Sequence, residues 1–171
     1  MVIIREEQLG DEQQIRTVNQ RAFGRVEEAD LVDQLRQTCT DSISMVAVSK
    51  DQMVGHILFT PVVVESKGRI ITGMGLAPMA VLPELQRQGI GSQLVKAGLE
   101  LIEKAKYPFV IVLGHPAYYP RFGFVPASRY KIGCGYENVT DEAFMILVLS
   151  RETLDGVSGV AKYRPEFAAV I

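Results

Sequence analysis

Val81-Leu82-Pro83-Glu84-Leu85-Gln86-Arg87-Gln88-Gly89-Ile90-Gly91 leads out of an apolar, β-rich segment and into an amphipathic one. Beyond it, Leu94, Val95, Gly98, Leu99 and Ile102 recur at intervals of three and four. That spacing predicts a helix over 89–104 with one face against a sheet. Glycine at 89 and 91 lets the backbone turn tightly and come close to a ligand. The helix start offers amide hydrogens without helical partners and the positive end of the dipole, which suits phosphate oxygens. Gln88, Gly89, Ile90 and Gly91 are the expected donors, with Arg87 adding charge. The segment is not a Walker loop, because no Gly-Lys-Ser/Thr follows, and two glycines make a poor dinucleotide fingerprint. On their own they also fit an ordinary strand-to-helix turn.

Outward from the loop, Ile70 to Leu82 reads as strand interrupted by Gly73, Gly75 and Pro78. Met53 to Val64 is β-rich, and Pro61 marks an edge, bend or bulge in it. Val2–Arg5 and Ser44–Val48 are strands, and Lys50-Asp51-Gln52 is a hairpin turn. Asp11 followed by Gln14 predicts a capping box opening a helix that Phe23 and Gly24 close. Glu27–Arg36 gives a second helix. Phe109–Leu113 is a continuous apolar strand, buried on both sides. Pro116–Arg121 suggests one or two helical turns, Phe124 opens a further β region, and Ala143–Leu149 is the final strand. The expected fold is α/β (α+β in some schemes), a mixed sheet with helices on its faces. Residues 1–171 are expected to form one domain, with 151–171 a docked tail of loop and aromatics.

The chain's 171 residues, 47% apolar and 22% charged, describe an ordinary globular protein that folds without disulfides or metal. A net charge of −2 without a long basic run argues against a nucleic-acid partner, although Arg87, Lys96, Lys104 and Lys106 could meet an anionic ligand. Cys39 and Cys134 have neither metal-ligand spacing nor a disulfide framework. His56 and His115 are the two histidines and have no acidic pair at ligand spacing, so no metal is expected. No apolar run approaches the length of a membrane span, and Met1–Glu6 lacks signal-peptide character. A cytoplasmic protein is expected.

Gln86-Arg87-Gln88-Gly89-Ile90-Gly91 resembles the Gln/Arg-x-x-Gly-x-Gly/Ala signature of the GCN5-related N-acetyltransferases (GNAT). Tyr119-Pro120-Arg121-Phe122-Gly123-Phe124 is similar to the family's Tyr-x-x-x-Gly-Phe. The fuller run from Leu113 to Phe124 resembles a bacterial YhbS-like subgroup, whose aspartate is His115 here. The broad resemblance covers residues 1–150, and Tyr163, Pro165 and Phe167 resemble the subgroup's ending. The resemblance implies a twisted, mostly antiparallel sheet of about six to seven strands, with splayed central strands forming an acyl-CoA groove. It implies acetyl-CoA as cosubstrate, held at its pyrophosphate by residues 86–92, Ser92 included. Met79, Ala80 and Val81 would run beside the pantetheine arm.

The implied reaction is attack of a neutral amine on a thioester, with loss of a thiolate. Tyr119 is the implied general acid, protonating the sulfur or stabilising its charge. Tyr118 is the rival. Gly123 and Phe124 read as structural, and Arg121 as a surface residue, a local partner or an adenosine contact. Many family members place a glutamate on the central strand, whereas this chain has Gly75-Leu76-Ala77-Pro78. His115 is a candidate base or orienting group. His56 fits a satisfied sheet histidine. Glu27 and Glu28 could meet a cationic amine, or simply favour a helix start. The alternatives are a non-catalytic acyl-CoA-binding or regulatory module and an interaction domain without cofactor. The acceptor, a small-molecule or peptide amine, is not named by the residues, and monomer or homodimer are both compatible.

Overall fold

A computed structural model describes residues 1–171, which cluster into two compact units. The first comprises Met1–Phe59, Ala77–Leu101 and Glu166–Ile171, and the second Thr60–Leu76 and Ile102–Pro165.

In the first unit, β1 (Ile3–Glu6) pairs antiparallel with β2 (Ile43–Ser49), and β2 with the start of β3 (Gln52–Ser66). Lys50 and Asp51 make the β2–β3 turn with φ of 48° and 62°. Positive φ at both positions matches the right-handed twist of a hairpin. Helices α1 (Glu12–Phe23) and α2 (Glu27–Thr38) lie between β1 and β2 in sequence, and Gly24 closes α1 at φ 69°.

The capping box at Asp11 does not form. The Asp11 carboxylate instead accepts from Arg5 at 2.7 and 3.0 Å and from the Gln8 N–H at 2.8 Å. Gln14 turns its Oε1 to the Met53 N–H at 3.1 Å. A guanidinium outcompetes a helix amide for a carboxylate because both partners are ionised.

Helix α3 (Ile90–Lys104) buries Leu94, Val95 and Ile102 completely. Two glycines set how closely it packs. A Cβ at residue 98 would stand 2.2 Å from Phe59 Cε2, and one at residue 55 would stand 3.0 Å from Leu94 Cδ1.

A buried polar chain crosses this unit. Asn19 Nδ2 donates to the Ile15 carbonyl at 2.9 Å and to His56 Nδ1 at 3.0 Å. The ring therefore carries its proton on Nε2, which faces Ser44 Oγ at 3.0 Å. Ser44 in turn meets the Glu7 carboxylate, which accepts from Arg36 Nε at 2.8 Å. His56 is fully buried, as a satisfied sheet histidine should be. Burial first, and Arg36 second, lower its pKa from 6.5 to about 3.

In the second unit, the part of β4 (Arg69–Val81) up to Leu76 pairs in parallel with β5 (Phe109–Leu113), and β5 pairs antiparallel with β8 (Phe144–Val148). The short β6 (Val125–Pro126) joins β8. The core gathers Val62, Val64, Phe109, Ile111, Ile146 and Ala161. Helix α4 (Arg151–Leu154) opens on a Ser150 cap.

Two expectations need correction. The tail is not all loop, because Gly159–Lys162 forms β9, pairing with β3 at Val63–Val64 and in parallel with β7 (Ile132–Cys134). With it the strands number nine rather than six or seven. Nor do Gly73 and Gly75 break β4. They make room, since a Cβ at 73 would lie 2.4 Å from Phe109 and one at 75 would lie 2.6 Å from Val62 and 3.0 Å from Tyr163. Pro61 falls where the β2 pairing has ended, at Phe59, and the β9 pairing has not begun, at Val63. Toward β2 and β9, its missing N–H therefore costs no ladder bond.

Gly98→Ala should destabilise the fold by about 1–3 kcal/mol, despite alanine's better helix propensity, because Phe59 must move. Equilibrium urea unfolding measures it. The same method tests His56. The unfolded state binds the histidine proton below pH 6.5 while the folded state refuses it until about 3. Its contribution is therefore complete above 6.5 and falls with pH, by roughly 1.4 kcal/mol per unit. The drop between pH 7 and pH 5 should be about 2 kcal/mol larger than in His56→Gln.

Candidate functional site

The loop before α3 is built by its own side chains. A 3₁₀ turn, Pro83–Leu85, follows β4, and Gln86 Nε2 reaches back to the Val81 carbonyl at 3.1 Å. Gln88 Nε2 reaches the Glu84 carbonyl at 3.4 Å, and Arg21 grips the Glu84 carboxylate at 2.8 and 3.0 Å. Arg87 and Gly89 take φ of 63° and 85°, and nothing lies within 4 Å of a Cβ at residue 89. The backbone there is open where a side chain would otherwise stand. The first α3 bond runs from the Gln93 N–H to the Gly89 carbonyl at 3.1 Å. The amides of Gly89, Ile90 and Gly91 thus precede any helical acceptor, as anion binding requires. Arg87 is exposed and outside every ion pair. Gln86 and Gln88, both expected as cofactor contacts, use their side chains to shape the loop.

Strand β4 reaches this loop after parting from β5. Its ladder covers Met74–Leu76 against Val110–Val112, while β4 itself continues to Val81. Met79 is half-buried, and Ala80 and Val81 are buried. The Leu82 N–H donates to the Val54 carbonyl at 2.9 Å, which holds the strand's end against β3.

The second motif lies in the other unit. Tyr119 opens a 3₁₀ turn, Tyr119–Phe122, that Gly123 ends at φ 96°. The residue is only 7% exposed, its ring edge-on to Tyr118 at 5.1 Å and to Phe124 at 5.7 Å. Gly114 makes the seat, since a Cβ there would lie 2.4 Å from Tyr119 Cε2. That role went unread in the sequence, where Leu113-Gly114-His115 looked only like a strand end. Burial, with Tyr118 contributing, holds the Tyr119 phenol well above its ordinary pKa of 10. It stays protonated at neutral pH, so it can give a proton but is poorly suited to take one. Tyr118 is more open. Arg121 lies 4.4 Å over its ring and donates to its carbonyl at 2.9 Å, which makes Arg121 a local partner.

His115 is exposed, and its carbonyl accepts from the Tyr118 N–H at 3.0 Å. Glu27 is exposed, whereas Glu28 is buried and bound through both oxygens by Arg25. That i, i+3 pair was visible in the sequence but not read. Gly75 cannot be exchanged for a carboxylate without displacing Val62 or Tyr163. No helix is long and apolar enough to cross a membrane.

Residues 3–127 match the family model described as an acetyltransferase (GNAT) domain. The uncharacterized N-acetyltransferase YhbS of Escherichia coli K12 is 35% identical over 148 residues, 86% of this chain and 87% of its own. A crystal structure of YhbS from Escherichia coli in complex with CoA superimposes with TM-score 0.88 at 33% identity, covering 98% of this chain and 92% of that one. A GNAT family acetyltransferase from Brucella melitensis in complex with acetyl-CoA gives 0.79 at 30%, covering 98% of both chains. The glycine loop, the parted strand and the seated tyrosine thus belong to a chain of the GNAT acetyltransferase family.

Proposed function

We propose that this protein transfers an acetyl group from acetyl-CoA to a primary amine by direct attack in a ternary complex. The observation that carries the reading is the open backbone at Gly89, set ahead of the first α3 hydrogen bond. Complexes of the two relatives with CoA and acetyl-CoA support the choice of cosubstrate. Their origin in Escherichia coli and Brucella melitensis supports a bacterial enzyme.

Within residues 86–92, the amides of Gly89, Ile90 and Gly91 hold the pyrophosphate and Arg87 adds charge, while the Gln86 N–H stays on the Pro83 carbonyl. The Val81 carbonyl already accepts from Gln86, so Met79 and Ala80 carry more of the contact with the pantetheine arm. The thioester supplies an activated acetyl carbonyl and a thiolate leaving group. Tyr119 gives that sulfur its proton. Glu27 is the carboxylate open to a cationic acceptor, and His115 orients the amine or passes on its proton. A packed Gly75 leaves β4 without a carboxylate, so loss of the amine's proton falls to solvent, ordered water or His115.

The test is calorimetric titration with acetyl-CoA followed by a thiol-release screen across amines. Saturable binding without turnover on any amine would favour a non-catalytic acyl-CoA module. Gly89→Val should weaken acetyl-CoA binding by at least about tenfold, because a β-branched residue is a poor occupant of positive φ. Tyr119→Phe should lower kcat by about 10²–10⁴-fold with cofactor affinity unchanged. An unchanged kcat would remove Tyr119 from the chemistry.

The pH profile adds an independent check. An acid works only while protonated, and the Tyr119 phenol is raised above 10. Turnover should therefore climb with pH as the amine deprotonates, with no falling limb below about pH 10.

A further inference from the structure

The second unit carries a recess of about 490 Å³ that the acetyl-transfer reading does not use. Lys67 from the β3–β4 turn, Arg129 and Lys131 from the segment before β7, and Arg151 from α4 all line it. Asp155 is the one carboxylate in the lining. None of the four cations takes part in an ion pair, although Lys162 nearby is paired with Glu65 at 3.3 Å. Lining charge is thus +3 in a chain whose net charge is −2.

The walls are fixed. Leu154 and Val157 form a buried floor that belongs to the unit's core. The Ser158 N–H donates to the buried Ser66 hydroxyl at 3.1 Å, and the Gly159 N–H to the Lys131 carbonyl at 3.1 Å. The Lys131 N–H closes its own turn on the Ser128 carbonyl at 3.0 Å. Three chain segments are therefore tied together by hydrogen bonds, while their cations stay outside any ion pair. Two guanidinium forks and two ammonium groups suit phosphate oxygens in geometry and charge. The half-buried Tyr130 adds a ring and a phenol beside them. The volume falls within the range of small-molecule sites.

We infer that Lys67, Arg129, Lys131 and Arg151 form a second anion site, for a small molecule bearing a phosphoanhydride chain. It is separate in sequence and in residues from the loop before α3. A free polyphosphate and a nucleoside polyphosphate present the same chemistry, and Tyr130 would contribute to the second alone.

The test is calorimetric titration of the full chain with sodium tripolyphosphate, and separately with ATP, each with and without saturating CoA. Saturable binding should persist in CoA and in Gly89→Val, and weaken as ionic strength rises. Arg129→Gln with Arg151→Gln should weaken it by about tenfold or more, leaving acetyl-CoA affinity unchanged. All four side chains are exposed, and Lys67→Ala with Lys131→Ala is a second, independent pair should the first fail to fold. Tighter binding of ATP than of tripolyphosphate, lost in Tyr130→Ala, assigns a nucleotide; equal binding assigns a free polyphosphate. No saturable heat with either probe overturns the site. So does binding that both double variants retain, or that CoA or Gly89→Val abolishes.

Discussion

Helix α3 must lie close on β3, and two absent side chains permit it. A methyl group at 98 would enter the Phe59 ring, and one at 55 would press on Leu94 and Ile90. The close approach fixes the helix axis, and the axis fixes where its first amides point. Leu94, Val95 and Ile102 then hold the position through buried apolar area. The loop ahead of the helix adds its own restraint, with Gln86 and Gln88 returned to backbone carbonyls and Glu84 held by Arg21. A site made of backbone amides has no side chain to reorient, so its precision is that of the packing beneath it. The glycines in the helix–sheet contact are for that reason as much a part of the loop as Gly89 is.

Much of this was legible because it rests on local pattern. The α3 repeat, the apolar run Phe109–Leu113 and the turn at Lys50-Asp51 follow from periodicity and polarity within a few residues. What was not legible depends on distant partners. Gly-Val-Ala-Lys at 159–162 has no strand signature of its own; it becomes β9 because β3 and β7 flank it. Gly159 is required there, since a Cβ would lie 2.5 Å from the Glu65 carbonyl oxygen. Asp11 reads as a cap until Arg5, six residues earlier, claims its carboxylate. Gly73 and Gly75 read as breaks until Phe109, Val62 and Tyr163 are seen to occupy their missing volume. At the candidate site the loop was read from its glycines. The seat of Tyr119 on Gly114, and the engagement of Glu28 by Arg25, needed side-chain positions.

The two histidines show how position decides what an imidazole can do. His56 sits between a donor, Asn19, and a hydroxyl, Ser44, with water excluded. Its tautomer is set, and burial denies it the charged state near neutral pH. It joins the buried chain that runs to Glu7 and Arg36, where it is a structural member. His115, on an exposed loop after β5, keeps its ring open to solvent.

Amine acetylation needs one proton removed and one supplied, and this fold treats the two transfers unequally. The proposed supplying group, Tyr119, is built in. Tyr119 is seated on Gly114, walled by Tyr118 and Phe124, and kept protonated by the burial that positions it. Deep placement suits a neutral acid, because desolvation favours its uncharged form. The same placement would defeat a carboxylate base, which must be charged to act. On β4, Val62 and Tyr163 already fill the space beside Gly75, and a buried carboxylate there would have to displace them before it could take a proton. In the proposed mechanism, the packing that fills the second unit therefore turns base catalysis outward, toward water and the exposed loop of His115, and keeps the proposed acid inside.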